Sequence, residues 1–162
     1  MSQHLATIHW TRPQDEKFTD SRYSRAHTWT FDGGVRVPAS SALSSVPPPY
    51  SKAENVDPEE ALVAAASSCH MLAFLYLAAK AGLVVDSYDD AAVGAMSRNG
   101  RGRLAVTSVL LSPEVVFSGS RSPSEAEVTA LHHEAHEECY IANSISSEIT
   151  VVCKWRFEGG AG

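Results

Sequence analysis

The longest apolar run of the chain, Ala61 to Val85, is broken only by Ser67, Ser68, His70, Lys80 and Gly82. Its start carries helix signals. Asp57 is placed as an N-cap, Pro58 fits the first helical position, and Glu60 falls three residues after the cap, which is a capping-box pattern. Gly82 is a natural stop, because glycine accepts the left-handed conformation that ends helices. The run therefore predicts one long helix. Its acidic start and alanine-rich body favour a buried helix of a soluble protein over a membrane span. Because it is apolar nearly all round, a monomer of this size would struggle to cover it. A helix of that kind packs at a subunit core, so a homodimer is expected.

Elsewhere the pattern alternates. Residues 3–10 and 22–31 carry β-branched and aromatic residues at strand spacing, and Asp32-Gly33-Gly34 reads as a tight turn into a strand over Val35 to Pro38. Residues 38–57 are rich in Ser and Pro and predict a long irregular loop. Two strands are expected over 84–97 and 104–117, joined by Asn99-Gly100-Arg101-Gly102. Ser122-Pro123-Ser124-Glu125 opens a second helix running to about Ile141. The last strand, 148–157, places Ile149, Val151, Cys153, Trp155 and Phe157 on one face. Hairpins with two inserted helices point to an α+β fold, with antiparallel sheets around a long buried central helix. At 162 residues the chain is the size of a single domain, 1–162, with 1–20 as a peripheral N-terminal segment.

Composition narrows the function. A net charge of -6 with no Lys/Arg block argues against nucleic-acid and anionic-membrane binding. The N-terminal stretch has no basic start followed by an apolar segment, so a cytoplasmic protein is expected. Three cysteines in a reducing compartment fit transient, catalytic disulfides better than structural ones.

Cys69 lies in the apolar helix and Cys139 near the end of the polar second helix. In bland terms each is a small core residue. In functional terms Cys69 is a nucleophilic thiol, and Cys139 traps its sulfenic acid as a disulfide. A thiolate needs a cation nearby, and neighbours at i±1 point away on a helix, so an arginine of the early strands is the natural supplier. Arg25 is the first candidate and Arg36 the second, with Arg22 also on these strands. Glu59 and Glu60 cap the helix; Glu59 is ten residues before Cys69, about 15 Å along a straight helix, so it would reach the thiol only through an intermediary arginine or from a partner subunit. Cys153 belongs to the core face of its strand. His132, His136 and Cys139 share a helix face and form an alternative zinc-binding set, against the plain reading of a solvated face. No fourth ligand is evident, so no metal and no cofactor are expected. A third reading is a dimer cavity that binds an apolar ligand beside inert cysteines.

The stretch Asp57-Pro58-Glu59-Glu60-Ala61-Leu62, followed by Ala64-Ala65-Ala66 and Cys69, resembles the first-cysteine helix of the OsmC/Ohr family, the osmotically inducible and organic hydroperoxide resistance proteins. Ala135-His136-Glu137-Glu138-Cys139, followed by Asn143, resembles its second-cysteine helix. The resemblance implies an intertwined α+β homodimer that reduces hydroperoxides, organic ones first and hydrogen peroxide second, through a Cys69–Cys139 disulfide. It makes Cys69 peroxidatic, Cys139 resolving, and Glu59 the holder of the activating arginine. It also implies recycling by an external dithiol such as a lipoyl protein. The chain departs from the family pattern at Tyr140, where proline often follows the second cysteine, at His70, where an aromatic residue is common, and in lacking an arginine just before Glu59.

Overall fold

The computed structural model describes residues 2–159. The chain forms two compact units, divided between Ala61 and Leu62 inside the first helix. In the first unit β1 (Ala6–His9), β2 (His27–Phe31) and β3 (Arg36–Ala39) make an antiparallel sheet in the order β1-β2-β3. The β2–β3 hairpin turns where the glycines predict it. Gly34 has a φ of 81°, and its N–H donates to the Phe31 carbonyl at 2.9 Å. A long irregular segment follows β3 and returns to it through a bridge between Ala39 and Val56.

Helix α1 (Pro58–Lys80) begins and ends as expected. The Glu60 N–H donates to Asp57 Oδ1 at 2.8 Å, and the Asp57 N–H donates to Glu60 Oε2 at 3.0 Å, a reciprocal cap. Gly82, with φ at 72°, closes the C-terminus, and the Leu83 N–H reaches back to the Ala78 carbonyl. Its burial in the single chain is one-sided. Ala66, His70, Phe74, Leu77 and Ala78 are buried, but Leu72 and Tyr76 are 61% and 66% exposed. A single chain has enough core to cover one face of an all-round apolar helix, and the other face stays open.

The second unit holds the rest of α1, then β4 (Val84–Asp90), β5 (Val93–Arg98), β6 (Leu104–Leu111), β7 (Pro113–Ser118), α2 (Glu125–Glu138), a 3-10 turn (Ala142–Ser144), β8 (Glu148–Val151) and β9 (Lys154–Phe157). Each of the three long strands expected from the pattern breaks in the middle. The halves sort into two sheets, β4-β7-β9 and β5-β6-β8. Their inner pairs β4–β7 and β5–β6 are antiparallel, while β7–β9 and β6–β8 are parallel. The sheets are thus mixed rather than purely antiparallel. The parallel pairs follow from connectivity: the chain leaves β7 and crosses over through α2 before it returns as β8 and β9.

The breaks meet at a polar junction. Asp90, at the end of β4, accepts the Ser112 N–H at 2.7 Å between β6 and β7, and also accepts the Ser67 hydroxyl of α1. The Val152 N–H donates to Leu111 at 2.9 Å as the third strand changes sheet. Polar groups freed from the ladder are therefore satisfied at the bend. The core of this unit packs Phe74, Leu77 and Ala78 of α1 and Val128, Leu131 and Ala135 of α2 with Val115 and Phe117 of β7.

Candidate functional site

Cys69 sits half-buried near the middle of α1, and Cys139 is the buried C-cap residue of α2. The second helix ends at Glu138, three residues before the expected Ile141. Cys139 leaves the helix with φ -72° and ψ 109°, its N–H still bonded to the His136 carbonyl. The chain then folds back over its own helix end. The Ile141 N–H donates to Cys69 Sγ at 3.5 Å, and the Ala142 N–H donates to Cys139 Sγ at 3.3 Å. Cys69 is close enough to Cys139 to influence its titration. The expected thiol pair, separated by about half the chain, is thus assembled by one short turn, and both cysteines are free.

The two sulfurs differ in environment. Burial pushes the Cys139 thiol up from its ordinary value, and the contact with Cys69 adds to this; the amides of Ala142 and Ile141 pull the other way. Cys139 is therefore held protonated at neutral pH beside a more exposed partner. Cys69 opens on a groove of about 460 Å³, walled by Leu72, Ala73, Tyr76 and Leu77 with Tyr140 alongside, and with Lys80, Glu134 and Glu138 also lining it. Cys153 packs partly buried against the core as expected. Burial pushes its thiol up to about 11, so it stays protonated at neutral pH.

Glu59, Arg25 and Arg36 belong to the first unit. The ion pairs among the described residues are Arg121–Glu127, Lys154–Glu114 and Arg156–Glu158, so none of the three is in one. The Arg25 guanidinium lies 3.8 Å above the Tyr23 ring and donates to the carbonyls of Ser21 and Tyr23. It lines an apolar groove of about 450 Å³ with Trp10, Phe18, Tyr23 and Pro58, the residue before Glu59. Arg36 is exposed on β3, paired across the sheet with Thr30. Glu59 is half-buried in the first turn of α1.

Sequence reasoning missed one feature. His70, set aside as a residue pointing away from Cys69, is buried, and its Nε2 lies 3.0 Å from His132 Nδ1. The rings are parallel, and His132 stacks on Phe74 at 4.3 Å. His70 Nδ1 and His132 Nε2 have no partner. Burial lowers both rings to about 4, so both are neutral at physiological pH. His132 thereby contacts His70, and is not gathered with His136 and Cys139 into the alternative zinc set. Among the described residues no group of three or more His, Cys, Asp or Glu side chains is gathered to hold a metal. A signal was available: His132 is one turn after Val128 and shares the buried face of α2 with Val128, Leu131 and Ala135.

Residues 51–154 match the model of the OsmC-like protein family, a span that includes the capped helix and both cysteines. The chain belongs to the OsmC-like family. A solved OsmC-like protein of unknown function from Vibrio cholerae O1 biovar eltor is 51% identical, with a TM-score of 0.93 over 95% of this chain and all of that one. An organic hydroperoxide resistance protein from Elizabethkingia anophelis is 14% identical, with a TM-score of 0.66 over 98% of both chains. The organic hydroperoxide resistance protein of Bacillus subtilis is also 14% identical, with a TM-score of 0.60 over 96% of this chain and 98% of that one. The last two share the OsmC fold at low identity. A search of curated proteins finds no match. The α+β architecture expected from the pattern is that of the OsmC-like family, with the mixed sheets and half-open helix described above.

Proposed function

We propose that this OsmC-like protein is a cysteine-based reductase of organic hydroperoxides, with Cys69 as the peroxidatic residue and Cys139 as the resolving one. The observation that carries the reading is the juxtaposition of the two thiols under the amides of Ile141 and Ala142. The apolar groove beside Cys69 supports a carbon-rich substrate. The organic hydroperoxide resistance proteins that share the fold support the reaction class.

In this mechanism the Cys69 thiolate attacks the terminal oxygen of the peroxide. An S–O bond forms, the O–O bond breaks, and the leaving alkoxide takes a proton from water to become the alcohol. Cys69 is then a sulfenic acid. The Cys139 sulfur attacks it; the S–S bond forms, the S–O bond breaks, and hydroxide leaves with the Cys139 proton as water. An external dithiol, such as that of a lipoyl protein, then reduces the disulfide by exchange.

Arg25 is the proposed cation for the Cys69 thiolate, with Glu59 as the carboxylate that would hold it in place of the Ser21 and Tyr23 carbonyls. Its place in an apolar groove next to Pro58 favours it over Arg36 on the open sheet. We also propose that the protein works as a homodimer in the reducing cytoplasm. The exposed Leu72 and Tyr76 on an otherwise apolar helix support the dimer.

The test is the intact mass under non-reducing conditions after one equivalent of cumene hydroperoxide, on the wild type and on Cys69→Ser. The expected result is a loss of two hydrogens in the wild type that is absent from the variant. An unchanged wild-type mass would end the peroxidase reading.

A further inference from the structure

The turn after α2 is built in an unusual way for a helix end. Its amides do not point to solvent: Ile141 N–H and Ala142 N–H each meet a sulfur, one from each helix. Asn143 makes the most side-chain bonds within the turn. Asn143 Nδ2 donates to the Glu137 carbonyl at 2.8 Å and to the Cys139 carbonyl at 3.1 Å, and the Asn143 N–H also donates to Cys139 at 3.0 Å. The last carbonyls of a helix lack intrahelical partners, and here a carboxamide four residues downstream of the cap takes two of them. Ser144 adds a hydroxyl bond to the Tyr140 carbonyl at 2.6 Å. The segment 139–144 is therefore closed on itself from both sides.

We propose that Asn143 is a positioning residue for the thiol chemistry, holding the Ile141 amide on Cys69 Sγ and the Ala142 amide on Cys139 Sγ as a backbone cradle for sulfur. This inference rests on the reading of Cys69 as the reacting thiol. The cradle acts on charge. An N–H bond to a thiolate is stronger than one to a neutral thiol, so an amide aimed at Cys69 favours the ionised form that attacks peroxide. In the disulfide-forming step the same two amides keep the sulfurs at neighbouring points while the S–O bond breaks and the S–S bond forms. The protein thus supplies part of its thiolate stabilisation from backbone within the same unit as both cysteines, in addition to any arginine.

The carboxamide nitrogen is the acting group, so the decisive variant is Asn143→Asp, which keeps the shape and replaces the donor with an acceptor facing two carbonyls. Alkylation of Cys69 by iodoacetamide, followed by mass spectrometry of its peptide, reads the thiolate directly. One lost bond to a charged group corresponds to roughly a tenfold slower reaction at pH 7, with the rate profile displaced by about one pH unit. Cys153, whose thiol is held protonated, is the control: its low extent of alkylation should be the same in both proteins. A folded Asn143→Asp protein with an unmoved Cys69 profile overturns the proposal.

A measurement on the wild type covers the case in which the variant does not fold. The Ile141 amide proton resonance should titrate with Cys69 and lose that titration in Cys69→Ser. An Ile141 amide blind to pH in the wild type overturns the proposal as well. Neither readout uses peroxide. A protein without peroxidase activity whose Ile141 amide follows Cys69 would refute the proposed function and leave the cradle standing.

Discussion

Acid should destabilise this protein through one buried pair. His70 and His132 are only 1% and 6% exposed, share a 3.0 Å contact, and are both lowered from 6.5 to about 4. Burial is the main cause. For His70 the charge of His136 lowers it further and Asp90 opposes; for His132 the second contributor is His70 itself. In the unfolded chain both rings take up protons near 6.5, while in the folded protein they resist until about 4. The pair therefore contributes its full stability above pH 6.5 and loses it as the pH falls toward 4. At about 1.36 kcal/mol per pH unit, the drop from 6.5 to about 4 is worth ~3 kcal/mol per ring. The two rings share one contact and partly repel when charged, so the sum for both, ~6 kcal/mol, is an upper bound.

The assay is urea unfolding at pH 7, 5.5 and 4, at one protein concentration, on the wild type and on a His70→Leu/His132→Leu double variant. Other titrating groups cancel in the comparison, including Glu127, whose capping and Arg121 contacts hold it at about 2. The wild type should lose ~3 kcal/mol or more between pH 7 and pH 4 beyond the loss in the double variant. Equal slopes in the two proteins would refute the reasoning, because they would mean that the buried rings do not resist protonation.

Two further outcomes follow from packing. Gly94 of β5 faces α1 so closely that an added Cβ would overlap Val63 Cγ2, and a β-branched side chain on a helix has little freedom to yield. Gly94→Ala should therefore cost ~1–3 kcal/mol by thermal or urea unfolding, and a neutral result would show that α1 can shift away from β5. Tyr76→Glu places a charge on the exposed face of α1, where Tyr76 is 66% exposed in the single chain. If that face is a subunit contact, sedimentation should show a wild-type dimer and a largely monomeric variant; a wild-type monomer would dismiss the homodimer.

Much of the fold was legible because it depends on local rules. The caps of α1 were readable from Asp57, Glu60 and Gly82, and the β2–β3 turn from Gly33 and Gly34, since each feature needs only residues a few positions apart. The strand regions were readable from alternation. Their breaks were not, because the residue that organises them, Asp90, acts on Ser112 and Ser67, both more than twenty positions away. Strand pairing also escaped the pattern: alternation says which face is buried, and says nothing of which neighbour lies alongside or in which direction it runs.

The candidate site divides in the same way. The sequence by itself determined the two thiols, the helices that carry them and the family to which the chain belongs, since residue type and spacing within each helix suffice for that. Only the tertiary structure decided that Cys139 stands just past its helix, that the amides of Ile141 and Ala142 face the two sulfurs, and that the Asn143 carboxamide bonds the carbonyls of Glu137 and Cys139 beside them. It alone decided that His132 pairs with His70 and leaves no zinc set among the described residues. The physical reason is range. Capping and periodicity are written in neighbouring residues, whereas burial and hydrogen bonding across 62 or 72 positions exist only once the core has closed.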